Sequence, residues 1–282
     1  MNTFSQAIAM RISIRTYTNV PIETNILEKL ETFFRSNTVG PFGNEVRFQI
    51  IDATTAEKNE LKKFGTYGLI SGMKFFIAGA VKNGHHAMED FGFCMEKNIL
   101  FATSLGLGTV WLGGFLNRHT FADKINLVDN EVIPAVTPIG YSSVKRSIID
   151  RVITGIVKAR KRKAFEEIFF DDNIDNPLYG KDCGKYFEAL EAVRIGPSAS
   201  NKQPWRIVRD KTHSTFHFFL NENPAYNRAF KEIKIQHIDM GIAMSHFELI
   251  CREQNIKGKW VQETVSFDYQ KYQYITTWKE TA

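Results

Sequence analysis

The stretch Asp90–Trp111, "DFGFCMEKNILFATSLGLGTVW", can be written without a gap above Asp239–Trp260, "DMGIAMSHFELICREQNIKGKW". Asp90 then meets Asp239, Gly92 meets Gly241, Met95 meets Met244, Leu100 meets Leu249 and Trp111 meets Trp260. The apolar positions coincide as well: Phe93 with Ile242, Cys94 with Ala243, Phe101 with Ile250. Phe91, Cys94, Met95, Ile99 and Ala102 recur at helical spacing, which predicts a buried helix feeding a glycine-containing turn in each copy. Identities in register over this length point to a duplicated unit.

A second match supports the duplication. "GPFGNEVRFQII" (Gly40–Ile51) aligns with "GPSASNKQPWRIV" (Gly196–Val208) if one residue is skipped, bringing Asn44 to Asn201 and Phe48 to Trp205. A helical pattern precedes each loop (Leu27, Leu30, Phe33 and Phe34; Phe187, Leu190 and Val193) and a strand-like run follows it. The predicted order in each half is therefore helix, Gly-Pro loop, strand, connection, helix, turn. The acidic, turn-rich "DDNIDNPLYGKDCGK" (Asp171–Lys185) reads as the linker. This divides the chain into residues 1–170 and 171–282. The halves have diverged unequally. "RISIRTY" (Arg11–Tyr17) and "GLGTVWLGG" are kept in the first, whereas Ser198, Gln203 and Pro204 are kept in the second.

The chain has 282 residues, 43% of them hydrophobic and 24% charged, enough for one large or two ordinary packed cores. Aromatics, with 23 Phe, suit a thick core more readily than a site for flat molecules. The net charge of +5 is mild. No apolar run approaches the ~18 residues of a membrane span, and "MNTFSQAIAMRISIR" lacks the apolar region of a signal peptide. Cys94, Cys183 and Cys251 are far apart and form no CxxC pair, so we expect reduced thiols and a cytoplasmic protein.

Arg11, Ser13 and Arg15 alternate. In an extended segment they face one side and present two guanidinium forks and a hydroxyl to one anion, a phosphate monoester in preference to a polyanion. The alternative is a solvated strand edge with ordinary arginines. "GLGTVWLGGF" contains GxG, but a helix precedes it and Trp111 stands where a dinucleotide fingerprint needs its third glycine, which excludes that motif. Gly113 and Gly114 serve either as a tight turn after a helix or as backbone that a flat ligand approaches closely. "KARKRK" (Lys158–Lys163) carries Arg160 and Arg162 without nucleic-acid motifs or aromatic interleaving, so no nucleic-acid partner is expected. In the opening of the second-half loop, Ser198, Ser200, Asn201 and Gln203 offer donors and acceptors suited to the edge of a heterocycle. Trp205 is expected in the core. His213 and His217 lie on a strand pattern, where that spacing brings no two ligands together, and no metal is expected. His85 and His86 are expected to be solvated.

Together these residues resemble the FMN-dependent nitroreductase-like family, and its tandem-fused subgroup in particular. The Arg-x-Ser-x-Arg start, "LGLGTVWLGGF" after a helix, "VIPAVTPIGYSS" (Val132–Ser143), "RKRKAFEEIFF" and the Pro-Ser-x-x-Asn-x-Gln-Pro-Trp loop carry the resemblance. It implies an α+β fold with a central, mostly antiparallel sheet flanked by helices, and two pseudo-repeats forming an internal pseudo-dimer. It also implies one FMN per chain. Arg11, Ser13 and Arg15, joined by Arg160 or Arg162, would bind the phosphate and ribityl chain. Leu112, Gly113 and Gly114 would lie along the flavin. Pro197, Ser198, Ala199, Ser200 and Asn201 would close from the other half, with Gln203 bracing the loop. The implied reaction is ping-pong hydride transfer from NAD(P)H through flavin N5 to a nitroaromatic, quinone or similar small-molecule acceptor. No side chain is assigned as a catalytic acid. A flavin carrier with little turnover is the alternative, and a fold that has lost its cofactor is a third reading. Because fusion would internalise the usual dimer interface, a monomer is expected.

Overall fold

The structure is a computed structural model that describes residues 2–55, 70–114, 117–143, 161–210, 212, 214–224, 226, 233–269 and 271–281. Arg160 and His213 lie outside the described residues. Two helices dominate the interior: α3 (Ala87–Ser104) and α6 (Ile235–Glu253), one from each repeat. Every residue of α3 except Lys97 is buried, as is every residue of α6 from Ile235 to Cys251. A helix buried on all sides needs other elements to cover it completely and to partner the polar groups it carries, Glu89, Glu96 and His246 among them. Here each helix covers the other and carries a sheet on its outer side.

The first sheet contains β1 (Val46–Asp52), β2 (Phe75–Lys82), β3 (Gly108–Thr109), β4 (Glu131–Val132) and β5 (Val136–Gly140). Its order is β1-β2-β5-β3 with β4 also on β2, all antiparallel. The second holds β6 (Phe169–Asp171), β7 (Trp205–Asp210), β8 (Thr215–Leu220), β9 (Gly258–Val261) and β10 (Gln273–Glu280), in the order β6-β7-β8-β10-β9. Only β6 pairs in parallel, with β7, and this tail of residues 161–171 runs onto the second sheet. The expected single central sheet is thus two sheets among the described residues. Apart from β6, the strands of each half pair with one another, and both sheets turn an apolar face to the α3–α6 layer.

The smaller helices are α1 (Phe4–Met10), α2 (Thr24–Ser36), α4 (Arg118–Lys124) and α5 (Phe187–Ile195). The predicted order recurs: α2, Gly40–Pro41 loop, β1, β2, α3, turn; then α5, Gly196–Pro197 loop, β7, β8, α6, turn. Aromatic rings go mainly to the core. Trp205, Trp278, Phe76, Phe91, Phe216, Phe218 and Phe247 are each under 2% exposed, and Trp205 anchors β7 as expected. The three cysteines are buried and unpaired. Among the described residues no helix is long and apolar enough to cross a membrane.

Candidate functional site

The Arg11–Arg15 segment leaves α1 and runs beside the first sheet. Arg11 caps α1, its N–H reaching Ala7 O, and Ser13 forms a parallel bridge with Thr109. Ile14 donates its N–H to Thr109 O at 2.8 Å and lies against Gly108. Arg15 accepts the Ser71 N–H through its carbonyl. Ile14 therefore takes the side that faces Gly108. Arg11 Nη1 is buried and has no hydrogen-bond partner among the described residues. Burial lowers the Arg11 guanidinium, and the Glu96 charge offsets part of that effect.

Arg162 joins this segment to the second half. Its Nε and Nη2 donate to Ile195 O at 3.1 and 2.9 Å, and its Nη1 donates to Asn201 Oδ1 at 2.9 Å. Burial, then the like charges of Arg11 and Arg194, pull Arg162 down to about 10. The two guanidiniums therefore repel each other across a half-buried setting, a repulsion that a nearby anion would relieve.

The turn after α3 supplies the next wall. Leu112 exchanges both backbone hydrogen bonds with Val136 at 2.9 Å. Arg118 Nη2 donates to Gly113 O at 2.7 Å and its Nε to Ile133 O at 3.1 Å, which fixes the turn. A Cβ on Gly113 would lie 3.1 Å from Ile235 Cδ1, so this first-half turn packs directly on the start of α6. Gly114 follows, half-buried. Trp111 turns its indole N–H back to Glu96 Oε2 at 2.7 Å.

The loop from Pro197 to Gln203 is held in an unusual shape. Ser200, Asn201 and Gln203 all have positive φ (48°, 54° and 48°), a conformation costing about 1 kcal/mol or more per residue and retained only where the surroundings enforce it. The enforcing contacts are specific. Ser198 Oγ accepts the Gln203 N–H at 2.8 Å, Asn201 Nδ2 donates to Lys161 O at 2.8 Å, and Gln203 Oε1 accepts the Lys163 N–H at 2.9 Å. Ser200 Oγ and Tyr226 Oη share a hydrogen bond of 2.5 Å. Ala199 N–H reaches Asp239 Oδ1 at 2.9 Å.

The structure thus brings Gly113 and Ala199 to the first turns of α6 and ties Arg162 to Asn201 of the same loop, and Ser13, Arg15, Leu112, Gly114, Pro197 and Ser198 lie on the neighbouring segments. Sequence reasoning missed Glu96, Ile235, Asp239 and His246 as supports, although Asp239 stood in the alignment opposite Asp90. In the first-half loop, Asp90 accepts from Phe42 N, Asn44 N and Asn44 Nδ2. A carboxylate facing a Gly-Pro loop was therefore legible from the pairing. His86 is not the solvated residue expected. It stacks on Phe42 with ring centroids 3.9 Å apart, and its Nδ1 meets Glu89 Oε1 at 3.0 Å, because the left-handed turn before α3 folds the ring inward. No cluster of metal-ligating side chains occurs among the described residues.

Comparison with solved structures gives the fold. A structure described as a "putative nitroreductase" from Thermotoga maritima is 17% identical, covers 99% of this chain and 93% of its own, and superposes with a TM-score of 0.61. A nitroreductase family protein from Clostridium difficile is 22% identical, over 54% of this chain and 90% of its own, with a TM-score of 0.41. A nitroreductase with bound FMN from Desulfitobacterium hafniense is 16% identical, over 52% of this chain and 92% of its own, with a TM-score of 0.41. No curated protein matches. The profile of the family described as "Putative TM nitroreductase" matches residues 3–251, and the chain belongs to that family.

Proposed function

We propose that the chain is an FMN-dependent NAD(P)H oxidoreductase with one flavin site, formed between a first half (1–170) and a second half (171–282) that pack as an internal pseudo-dimer. The observation that carries this reading is the buried Arg11 Nη1, which has no hydrogen-bond partner among the described residues, on a guanidinium whose charge also acts on Arg162. Such a pair is costly until an anion completes it, and a phosphate monoester has the charge and the acceptor geometry. The pseudo-dimer reading is supported by the repeated element order and by the two aspartates, Asp90 and Asp239, that each receive N–H donors from a Gly-Pro loop.

Arg11 and Arg162 would hold the phosphate, with Ser13 and Arg15 beside them along the ribityl chain. Leu112, Gly113 and Gly114 would present backbone to the ring, where the absence of Cβ atoms permits close approach. Pro197, Ser198, Ala199, Ser200 and Asn201 would close the site from the second half, braced by Gln203. FMN bound there would supply two-electron transfer between NAD(P)H and a small-molecule acceptor such as a nitroaromatic or quinone. The protein's own contribution is position and charge: the two guanidiniums favour negative charge nearby, and the Arg118 and Arg162 clamps keep turn and loop from shifting. The equivalent first-half loop is closed on itself by the Phe42–His86 stack, which favours a single site per chain.

The test is the visible spectrum and flavin stoichiometry of the purified protein. One FMN per chain, bleached by NADH or NADPH and reoxidised by a quinone or nitroaromatic, is the expected result. A protein that binds no FMN, or binds two, overturns the reading. One bound FMN that reduced nicotinamides fail to bleach makes the chain a flavin carrier.

A further inference from the structure

Arg11, the Trp111–Gly114 turn and the Gly196 loop come from three separate stretches, and one buried side chain touches the supports of all three. His246, on α6, is 1% exposed. Its Nδ1 lies 2.8 Å from Ala192 O, on the helix leading into Gly196, and its Nε2 lies 2.9 Å from Glu96 Oε1. A Cβ on Gly196 would meet His246 Nδ1 at 3.4 Å, so the imidazole is the floor on which the loop begins. Glu96 is itself fully buried, receives the Trp111 indole N–H at its other oxygen, and acts on the Arg11 charge.

Proton counting gives these contacts a consequence. A carbonyl oxygen only accepts, so Nδ1 carries a hydrogen. A second proton must lie between Nε2 and Glu96 Oε1. Whether it sits on nitrogen or on oxygen, the Glu96–His246 unit has no net charge, and the Arg11 charge is at most partly offset by Glu96. Without the imidazole, Glu96 would be a buried carboxylate facing an arginine whose Nη1 has no partner. The aligned position in the first half is Lys97, which pairs with Glu248 at 3.4 Å, and Glu248 receives the Trp260 indole N–H at 2.7 Å. The arrangement of tryptophan, glutamate and cross-helix cation thus occurs twice, but only the His246 copy stands beside Arg11 and under the Gly196 loop.

We infer that His246 is a positioning residue of the anion site: by pairing Glu96 it keeps Arg11 available to the ligand's phosphate, and by its contact with Gly196 it sets the loop against that arginine. This inference rests on the proposed flavin site, and the experiment separates the two. FMN affinity is measured for the wild type, His246→Gln, Glu96→Gln and the double variant, alongside the rise in melting temperature produced by inorganic phosphate. His246→Gln should weaken FMN about tenfold or more, as loss of a charged contact does, and abolish the phosphate-induced rise. The double variant, with no carboxylate left to claim Arg11, should return to within a few-fold of the wild type on both measures. A merely structural role predicts no rescue. Unchanged affinity in His246→Gln, or a loss that persists in the double variant, overturns the inference. If the wild type binds no FMN but shows the phosphate pattern, the flavin reading falls and the role of His246 stands. If phosphate also leaves the wild type unaffected, the inference falls as well.

Discussion

Gly92 lies against Ile238 so closely that an added Cβ would sit 2.3 Å from the Ile238 carbonyl oxygen. The contact is reciprocal: a Cβ on Gly241 would sit 2.0 Å from the carbonyl oxygen of Glu89. Glu89 and Ile238 occupy aligned positions in the two repeats, as do the glycines, so helices α3 and α6 cross about a local two-fold relationship. In an exposed helix, Gly→Ala stabilises by roughly 1 kcal/mol. Here the backbone beneath cannot give way, and Gly92→Ala or Gly241→Ala should destabilise by about 2 kcal/mol or more. Calorimetric melting decides it. A raised melting temperature in either variant would show that the crossing is looser than described.

Arg162 and Asn201 form a side-chain tie between the basic tail and the second-half loop, and the sequence singled out both residues. Asn201→Asp turns the Arg162 contact into an ion pair but sets a carboxylate oxygen against Lys161 O in place of the Nδ2 donor, so the fold should gain no stability. The same charge competes with a phosphate for Arg162, and FMN affinity should fall about tenfold or more. Titration of the apo-protein with FMN, beside a thermal melt, reads both quantities. Equal affinity in the two proteins would place the phosphate elsewhere.

The helices and the Gly-Pro loops were legible because each rests on local pattern: helical spacing in Asp90–Trp111, and small polar residues ahead of a strand in Gly196–Val208. The split into two sheets was not, because strand partners are chosen by long-range burial, and β6 joins its sheet from the far side of the linker boundary. The supports of the site were hidden for a related reason. Glu96 and His246 are 150 residues apart, and each looks like an ordinary polar residue within a helix until α3 and α6 are crossed. The duplication offered the missing signal, since His246 aligns with Lys97, but a lysine and a histidine do not announce a shared role.

Glu89 links the same two helices through charge. Its Oε1 accepts from His86 Nδ1 at 3.0 Å and from His237 Nδ1 at 2.7 Å. Burial acts to raise this carboxyl, but the hydrogen bonds from His237 and then His86 outweigh it and pull the group down to about 2. A depressed carboxyl stabilises the fold fully above its unfolded value, near 4.5. That contribution, on the order of 3 kcal/mol, is lost as pH falls from there towards 2. Glu89→Gln should therefore be less stable than the wild type at pH 7, and the gap should close as both are taken to acid. A gap that stays constant with pH would assign the loss to packing instead.

Asp239 behaves in the opposite sense, and its aligned partner Asp90 provides the control. Asp239 is 2% exposed, accepts only the Ala199 N–H, and leaves Oδ2 buried without a partner among the described residues. Burial pushes this carboxyl well above the ordinary range, and the single hydrogen bond offsets little of it. Between the unfolded and folded values the native state holds a proton that the unfolded chain has released. Stability therefore falls across that window as pH rises, by up to about 1.4 kcal/mol per pH unit, and levels off above the folded value. Asp239→Asn removes the titration while keeping an acceptor for Ala199, so it should equal the wild type in acid and exceed it at neutral pH. Asp90→Asn should instead destabilise, although burial raises that carboxyl as well, against the hydrogen bonds from Phe42 and Asn44. Asp90 accepts three donors over its two oxygens, and an amide NH2 turned towards any of them costs about 1–3 kcal/mol. Melting temperatures of the three proteins between pH 4 and pH 8 (roughly the range over which ordinary carboxyls have released their protons) check both signs. If Asp239→Asn destabilises at neutral pH, Asp239 works as a carboxylate, and the second-half loop is held by charge as well as by the Ala199 hydrogen bond.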